Sequence, residues 1–187
     1  MTRDEALEEL KIRLSDKYML QHSIVSEAIM REFALYYVDD VEIWGMAGLL
    51  HDIDYERTVN NPSLHGAIGA DILENLDVDE TIVYCVRAHN ESLGIPRNRK
   101  IDKVLVLADA ISGLIIKSAS TLPNKKISDV LAESILNMLS EQEVVGTAGW
   151  DKIKYLDELN LTLDRFVEIS VKAMQEVPEE YLYAEEY

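Results

Sequence analysis

Apolar residues recur along this chain at three- and four-residue intervals, in blocks separated by short polar or proline-bearing joints, and that period marks amphipathic helices. Thr2 and Glu5 form a capping-box pattern ahead of a polar, leucine-containing helix over 3–14. A second helix is predicted over 17–37, with His22 near its start. Asp39 or Asp40 can cap a third, in which Ile43, Ala47, Leu50, His51 and Asp54 share one face. Gly45, Gly48 and Asp52 form the adjoining stripe, and its missing side chains would admit another helix or a metal ion closely. Asn61-Pro62 supplies a cap and a first-turn proline, which predicts His65 in the opening turns of a helix running to about Leu76. Asp79 caps the next, which ends near His89.

Residues 101–117 are the most apolar stretch of the chain, and Asp109 is set inside it. The valines would allow a strand over 103–108, but the apolar run continues through Ile116 and favours a buried helix. Beyond Pro123, helices are predicted over roughly 127–140, 150–159 and 162–177, the last opened by Thr162 and stopped by Pro178. The acidic tail from Glu179 to Tyr187 is expected to fray. A chain of 187 residues, 48% apolar, can bury one substantial core. The expected fold is all-α: a single-domain helical bundle over 1–187, with its central unit at 18–117 and the helices of 118–178 packed on it.

Composition narrows the partners. The net charge of −17 repels phosphate backbones and anionic membrane surfaces, so neither a nucleic-acid polymer nor a membrane is expected as a partner. A small phosphorylated substrate stays open, because a bound cation inverts the electrostatics around itself. Cys85 is the sole cysteine, which excludes an internal disulfide and a thiolate zinc knuckle. The charged N-terminal residues and the lack of any apolar stretch near about 20 residues point to a cytoplasmic location. Leftover apolar helix faces are compatible with a homo-oligomer.

All four histidines fall in one ordered set with two aspartates: His22, His51-Asp52, His65, His89 and Asp109. Imidazole and carboxylate are the donors that hold Zn, Fe, Mn or Ni. Taken singly, each histidine is more often a satisfied core or surface residue. Asp109 is harder to explain that way, because an ionised carboxylate among Leu and Val needs an ion pair, for instance with Lys103, or a bound cation. His51 and Asp52 are neighbours, splayed by about 100° on a helix, so an ion between them needs further ligands from other helices. His22 and Asp109 can supply those.

In its order, His22…His51-Asp52…Asp109 resembles the H…HD…D signature of the HD-domain phosphohydrolases, with Leu49-Leu50 leading into the pair. His65 and His89 resemble the two extra histidines of the subgroups that bind two metals. The resemblance implies an all-helical fold and hydrolysis of a phosphoester or phosphoanhydride, usually of a nucleotide, by a water that a bound cation acidifies. It implies that His22, His51, Asp52 and Asp109 hold a first divalent ion and that Asp52 bridges to a second held by His65 and His89. Fe, Mn, Zn, Ni or Co would suit such donors. One ion with a histidine as general acid is the alternative.

Departures accompany the match. His89-Asn90 stands where cyclic-dinucleotide enzymes carry a His-His pair, and their GYP triplet is missing. Tyr55 occupies the place of a glutamate common in single-metal nucleotidases, so Asp54 and Glu56, beside the shared Asp52, are the candidates for orienting or deprotonating the water. Arg97, Arg99 and Lys103, in or next to the one local basic cluster, are the candidates for substrate phosphate. A catalytically silent module that binds metal or nucleotide and serves regulation is the competing function.

Overall fold

The computed structural model describes residues 1–140 and 150–184, the side chains of Trp150 and Asp151 apart. Among these residues there is no strand, only an isolated bridge between Lys126 and Tyr183. Ten helices follow in order among the described residues: α1 Arg3–Arg13, α2 Lys17–Tyr37, α3 Val41–Leu50, the single turn α4 Tyr55–Thr58, α5 Ala67–Asn75, α6 Glu80–His89, α7 Lys100–Ser120, α8 Ala132–Ser140, α9 Lys154–Glu158 and α10 Leu163–Lys172. The fold is thus all-α, and the valine-rich run of 103–108 lies inside α7.

The helix starts follow their capping chemistry. Thr2 Oγ1 accepts from Glu5 N at 3.3 Å while Glu5 Oε2 accepts from Thr2 N at 2.7 Å, which closes the predicted capping box. Asp16, Asp40, Asp79 and Thr162 each accept from first-turn amides of α2, α3, α6 and α10. The C-terminal elements are shorter than predicted, because 3-10 turns take over at Ile127–Asp129, Trp150–Ile153 and Ala173–Glu176.

The core is built around α2 and α7, which pack on each other and on α3. Gly48 explains how close α2 and α3 come: a Cβ there would stand 2.7 Å from the Ser26 carbonyl oxygen and 2.9 Å from Glu27 Cα. The glycine stripe therefore admits another helix's backbone. Trp44 is buried in this layer, and Phe33 stacks on Phe166 at 5.3 Å, joining α10 to α2. Each such aromatic burial contributes on the order of 1.5–3 kcal/mol by area removed from water. Buried Glu27 is compensated by Arg3 and Arg31, at 2.7 and 2.9 Å, which fastens α1 to α2.

Beyond α10 the chain does not fray as expected up to Ala184. Gln21 Nε2 donates to the carbonyls of Tyr181 and Tyr183 at 2.8 and 2.6 Å. Ala184 N donates to Lys125 O at 2.8 Å. Residues 185–187 of the predicted frayed tail lie outside the described residues.

Candidate metal centre

The six residues singled out by their order come from separate elements and meet in one place. His22 lies in the second turn of α2, His89 is the last residue of α6, and Asp109 sits in the middle of α7. His51 and Asp52 are not inside a helix as predicted: α3 ends at Leu50 and residues 51–54 form a turn. His51 itself keeps right-handed helical backbone angles (φ −59°, ψ −34°), and the turn continues with Ile53 N donating to Leu50 O at 3.2 Å and Tyr55 N to Asp52 O at 2.9 Å. His65 likewise differs from its expected place. The cap at Asn61 opens only a 3-10 turn, Pro62–Leu64, and His65 is extended (φ −60°, ψ 139°) before α5 begins at Ala67. Gly66 between them has φ +78°, and a Cβ there would meet Val86 O at 2.9 Å.

Every imidazole is anchored through Nδ1 and faces inward with Nε2. His51 Nδ1 donates to Gly48 O at 2.8 Å and His89 Nδ1 to Val86 O at 2.6 Å. His65 Nδ1 donates to Asp54 Oδ1 at 2.9 Å. Ser112 gives its own hydrogen to the Asp109 carbonyl at 2.7 Å, so its oxygen accepts from His22 Nδ1 at 2.9 Å. The inward nitrogens approach one another: His22 and His51 at 3.2 Å, His65 and His89 at 2.8 Å. Lone pairs so close repel unless a proton or a cation stands between them.

Asp52 divides its carboxylate between the two pairs. Oδ2 lies 3.3 Å from His51 Nε2 and 3.6 Å from His22 Nε2, while Oδ1 lies 3.1 Å from His65 Nε2 and 3.7 Å from His89 Nε2. Two groups that could hold an ion result, His22-His51-Asp52 and Asp52-His65-His89. Asp109 Oδ1 adjoins the first, 3.3 Å from His22 Nε2 and 3.8 Å from His51 Nε2. A set of imidazole nitrogens and carboxylate oxygens of this kind fits a divalent transition ion, which would take the place of the Nε2 protons, with the outward Nδ1 bonds fixing each ring.

The charges are mutually dependent. Burial opposes protonation of His51, yet Asp52 and Asp109 outweigh it and raise the imidazole to about 9. Burial also opposes charge on His65, and Asp52 and Asp54 raise it to about 10. Against the same burial, His51, His65 and His89 hold Asp52 well below the usual carboxylate range. His22, Lys152 and His51 do likewise for Asp109.

An open pocket of about 590 Å³ reaches the cluster, and Tyr18, Met19, Tyr55, Val59 and Pro62 are among its walls. The residues expected to handle water do not face it. Asp54 is fully buried, with Oδ1 on His65 and Oδ2 accepting from Gly66 N and Gly69 N at 2.9 and 2.8 Å. Glu56 points elsewhere and caps the chain before α2, its Oε1 accepting from Ser15 Oγ and Asp16 N at 2.9 and 3.0 Å. The expected phosphate cations are committed too. Arg97 donates to Ala88 O, His89 O and Tyr155 Oη, Arg99 pairs with buried Asp102 at 2.7 Å, and Lys103 pairs with Glu158 at 2.7 Å. Lys103 therefore does not compensate Asp109.

Sequence reasoning missed Lys152, which lines the pocket with Nζ 3.6 Å from Asp109 Oδ2, and Ser112, whose spacing of three from Asp109 was the available signal. It also missed the work of Asn90, whose Nδ2 pins the carbonyls of Pro62 and His65 at 2.9 and 2.8 Å.

The HD domain signature matches residues 19–114, just over half of the chain. The chain belongs to the HD domain family. His22 on α2, His89 on α6 and Asp109 on α7 all fall inside the matched range. Over 108 residues this HD protein is 34% identical to a protein named ribonuclease Y from Mycoplasma mycoides subsp. mycoides SC, covering 55% of this chain and 20% of the relative. A ribonuclease Y of Nitratidesulfovibrio vulgaris is 33% identical over 110 residues, 57% of this chain and 20% of its own length. An uncharacterized protein of Methanocaldococcus jannaschii is 34% identical over 94 residues, 48% of this chain and 54% of the relative. The match thus spans about a fifth of the ribonuclease relatives and about half of the archaeal one. No solved structure matches the chain.

The ribonuclease names correct one expectation. The net charge of −17 does not exclude a nucleic-acid polymer as partner, since relatives named ribonuclease Y overturn that expectation. The physical reason is locality: contact with one scissile phosphate depends on cations within about a Debye length, roughly 8–10 Å, and not on acidic residues across the far surface. Among the described residues, no helix is long and apolar enough to cross a membrane.

Proposed function

We propose that this HD protein is a metal-dependent phosphohydrolase that cleaves a phosphoester or phosphoanhydride of a nucleotide, whether free or within RNA. The observation that carries the reading is the divided carboxylate of Asp52, which offers one oxygen to each of two histidine pairs whose Nδ1 atoms are all bonded outward. His22, His51, Asp52 and Asp109 would hold one ion; Asp52, His65 and His89 would hold a second. Fe, Mn, Zn, Ni and Co all suit those donors. When bound, such ions acidify water toward neutral pH and neutralise charge on a phosphoryl group.

The chain's own residues do the rest. Ser112, Gly48, Asp54 and Val86 fix the four rings in one tautomer, so that each Nε2 keeps its lone pair. Asp54 therefore acts as a positioning residue for His65. Tyr18, Met19, Tyr55, Val59 and Pro62 provide a mostly apolar wall for the part of the substrate remote from the phosphate. The relatives named ribonuclease Y support including RNA phosphodiesters in the substrate class.

The test is elemental analysis of native-purified protein followed by a hydrolysis panel with Mn or Co. The panel contains mononucleotides, dinucleoside polyphosphates and short RNA oligonucleotides. One to two equivalents of transition metal and EDTA-sensitive phosphate or nucleotide release are expected. A fully loaded protein that leaves every member intact would favour the silent regulatory module.

A further inference from the structure

The HD signature ends at residue 114, yet part of the pocket wall comes from beyond it. Lys152 lies on the 3-10 turn Trp150–Ile153, which packs against α7, the helix of Asp109. Its Nζ is 3.6 Å from Asp109 Oδ2, while Oδ1 of the same carboxylate faces His22 Nε2 at 3.3 Å. The ammonium thus stands on the pocket side of the ligand cluster. Among the described residues lining the pocket, Lys152 is the one lysine or arginine. An ammonium has three donors, and a single ion pair at 3.6 Å leaves capacity for an incoming anion.

The basic residues that do not reach the pocket hold Lys152 in place. Arg97, from the loop between α6 and α7, donates to Tyr155 Oη at 3.1 Å, and Lys103 on α7 pairs with Glu158 at 2.7 Å. Both brackets close on α9, the helix that begins two residues after Lys152. Leu156, between them, is buried. The same pocket carries Asp52, Glu91 and Asp109, so an approaching phosphate would meet net repulsion from the side chains without a local cation.

We propose that Lys152 binds the phosphoryl oxygens of the substrate, so that the segment after the HD core completes the site. This rests on the phosphohydrolase reading above. The rival role for Lys152 is service to Asp109 alone, as an ion pair that keeps a metal ligand ionised.

The experiment uses the full chain loaded with Mn and inorganic phosphate as the probe, with binding read by calorimetry and metal content by elemental analysis. Lys152→Met should weaken phosphate binding by roughly 10- to 100-fold, the loss of one charge-assisted hydrogen bond, with metal content and melting temperature unchanged. Lys152→Arg should restore most of the affinity, and Glu158→Gln should produce a smaller loss by loosening the bracket. Lys152→Gln repeats the comparison should the methionine variant fail to fold. Wild-type phosphate affinity in Lys152→Met overturns the inference, as does loss of metal in step with loss of phosphate. Loaded wild-type protein that binds no phosphate overturns the phosphohydrolase reading as well, which separates the two failures.

Discussion

Replacing Asp54 by Asn tests whether this buried carboxylate sets the chemistry of His65 from behind. In the native protein Oδ2 accepts from Gly66 N and Gly69 N at 2.9 and 2.8 Å and Oδ1 accepts from His65 Nδ1 at 2.9 Å. An asparagine can keep its oxygen on the two glycine amides, which leaves its NH₂ group facing Nδ1. Two donors cannot face each other, so the ring must move its proton to Nε2, and the lone pair that faced Asp52 and His89 is lost. Partners of this kind typically change metal affinity by about 10- to 100-fold, and the loss falls on the Asp52-His65-His89 group alone. Exchanging a charged acceptor for a neutral one also destabilises the fold, by about 1–2 kcal/mol. That corresponds to roughly 2–8 °C in melting temperature for a chain of this size. Equilibrium dialysis against graded Mn, with metal counted per protein, should show two sites in the wild type and one near-normal site in Asp54→Asn. Two sites of wild-type affinity in a variant that melts normally would refute the positioning role. Asp54→Ala, which leaves three buried donors without partners, should not fold at 37 °C.

Gly48→Ala should destabilise by about 1–3 kcal/mol, since its Cβ would stand 2.7 Å from the Ser26 carbonyl of α2. The same wedge separates the helix of His22 from the turn of His51, so metal should be lost from the first group before the second; a variant with wild-type melting and metal content contradicts this. Glu56→Ala should leave metal content unchanged and turnover within about twofold, because its carboxylate caps Ser15 and Asp16 and is absent from the pocket wall. A hundredfold fall in turnover at normal melting would return Glu56 to the water-handling role. Burial pushes the Cys85 thiol well above its ordinary value, aided by Asp102, so the native protein should resist iodoacetamide at about pH 8 and react fully once unfolded. Stripped of metal, the protein should lose stability as pH rises from about 6.5, the imidazole value of the unfolded chain, through the raised values of about 9 for His51 and about 10 for His65. The lowered carboxylates of Asp52 and Asp109 act in the opposite sense, their contribution being lost as pH falls below about 4. A melting temperature that stays flat in the metal-free protein from pH 6 to 10 would contradict the alkaline half.

The helices were legible because their signals are local. The caps at Thr2, Asp79 and Thr162 and the apolar run around Asp109 all act within a few residues of themselves, and the structure places each as read. What escaped was set by partners distant in sequence. The Asn61-Pro62 signal is a sound helix start, yet it yields to the carboxylate of Asp54, which claims the amides of Gly66 and Gly69 and so delays α5 until Ala67. The ring of His65 is thereby freed from helical geometry to reach Asp52. The partners that the expected phosphate cations take up have the same origin. Of the three expected phosphate cations Arg97 is the nearest in sequence to His89, but α6 ends at that residue and leaves its last carbonyls without helical partners. Arg97 Nε and Nη2 satisfy Ala88 O and His89 O at 2.8 and 2.9 Å, a demand that the helix end creates and that a fully ionised guanidinium meets well. Arg97 is thus pre-empted by the end of α6. Among the described residues lining the pocket the lysine comes from a different element: it is Lys152, 63 residues further along the chain than His89 and visible only once α9 is fastened to α7.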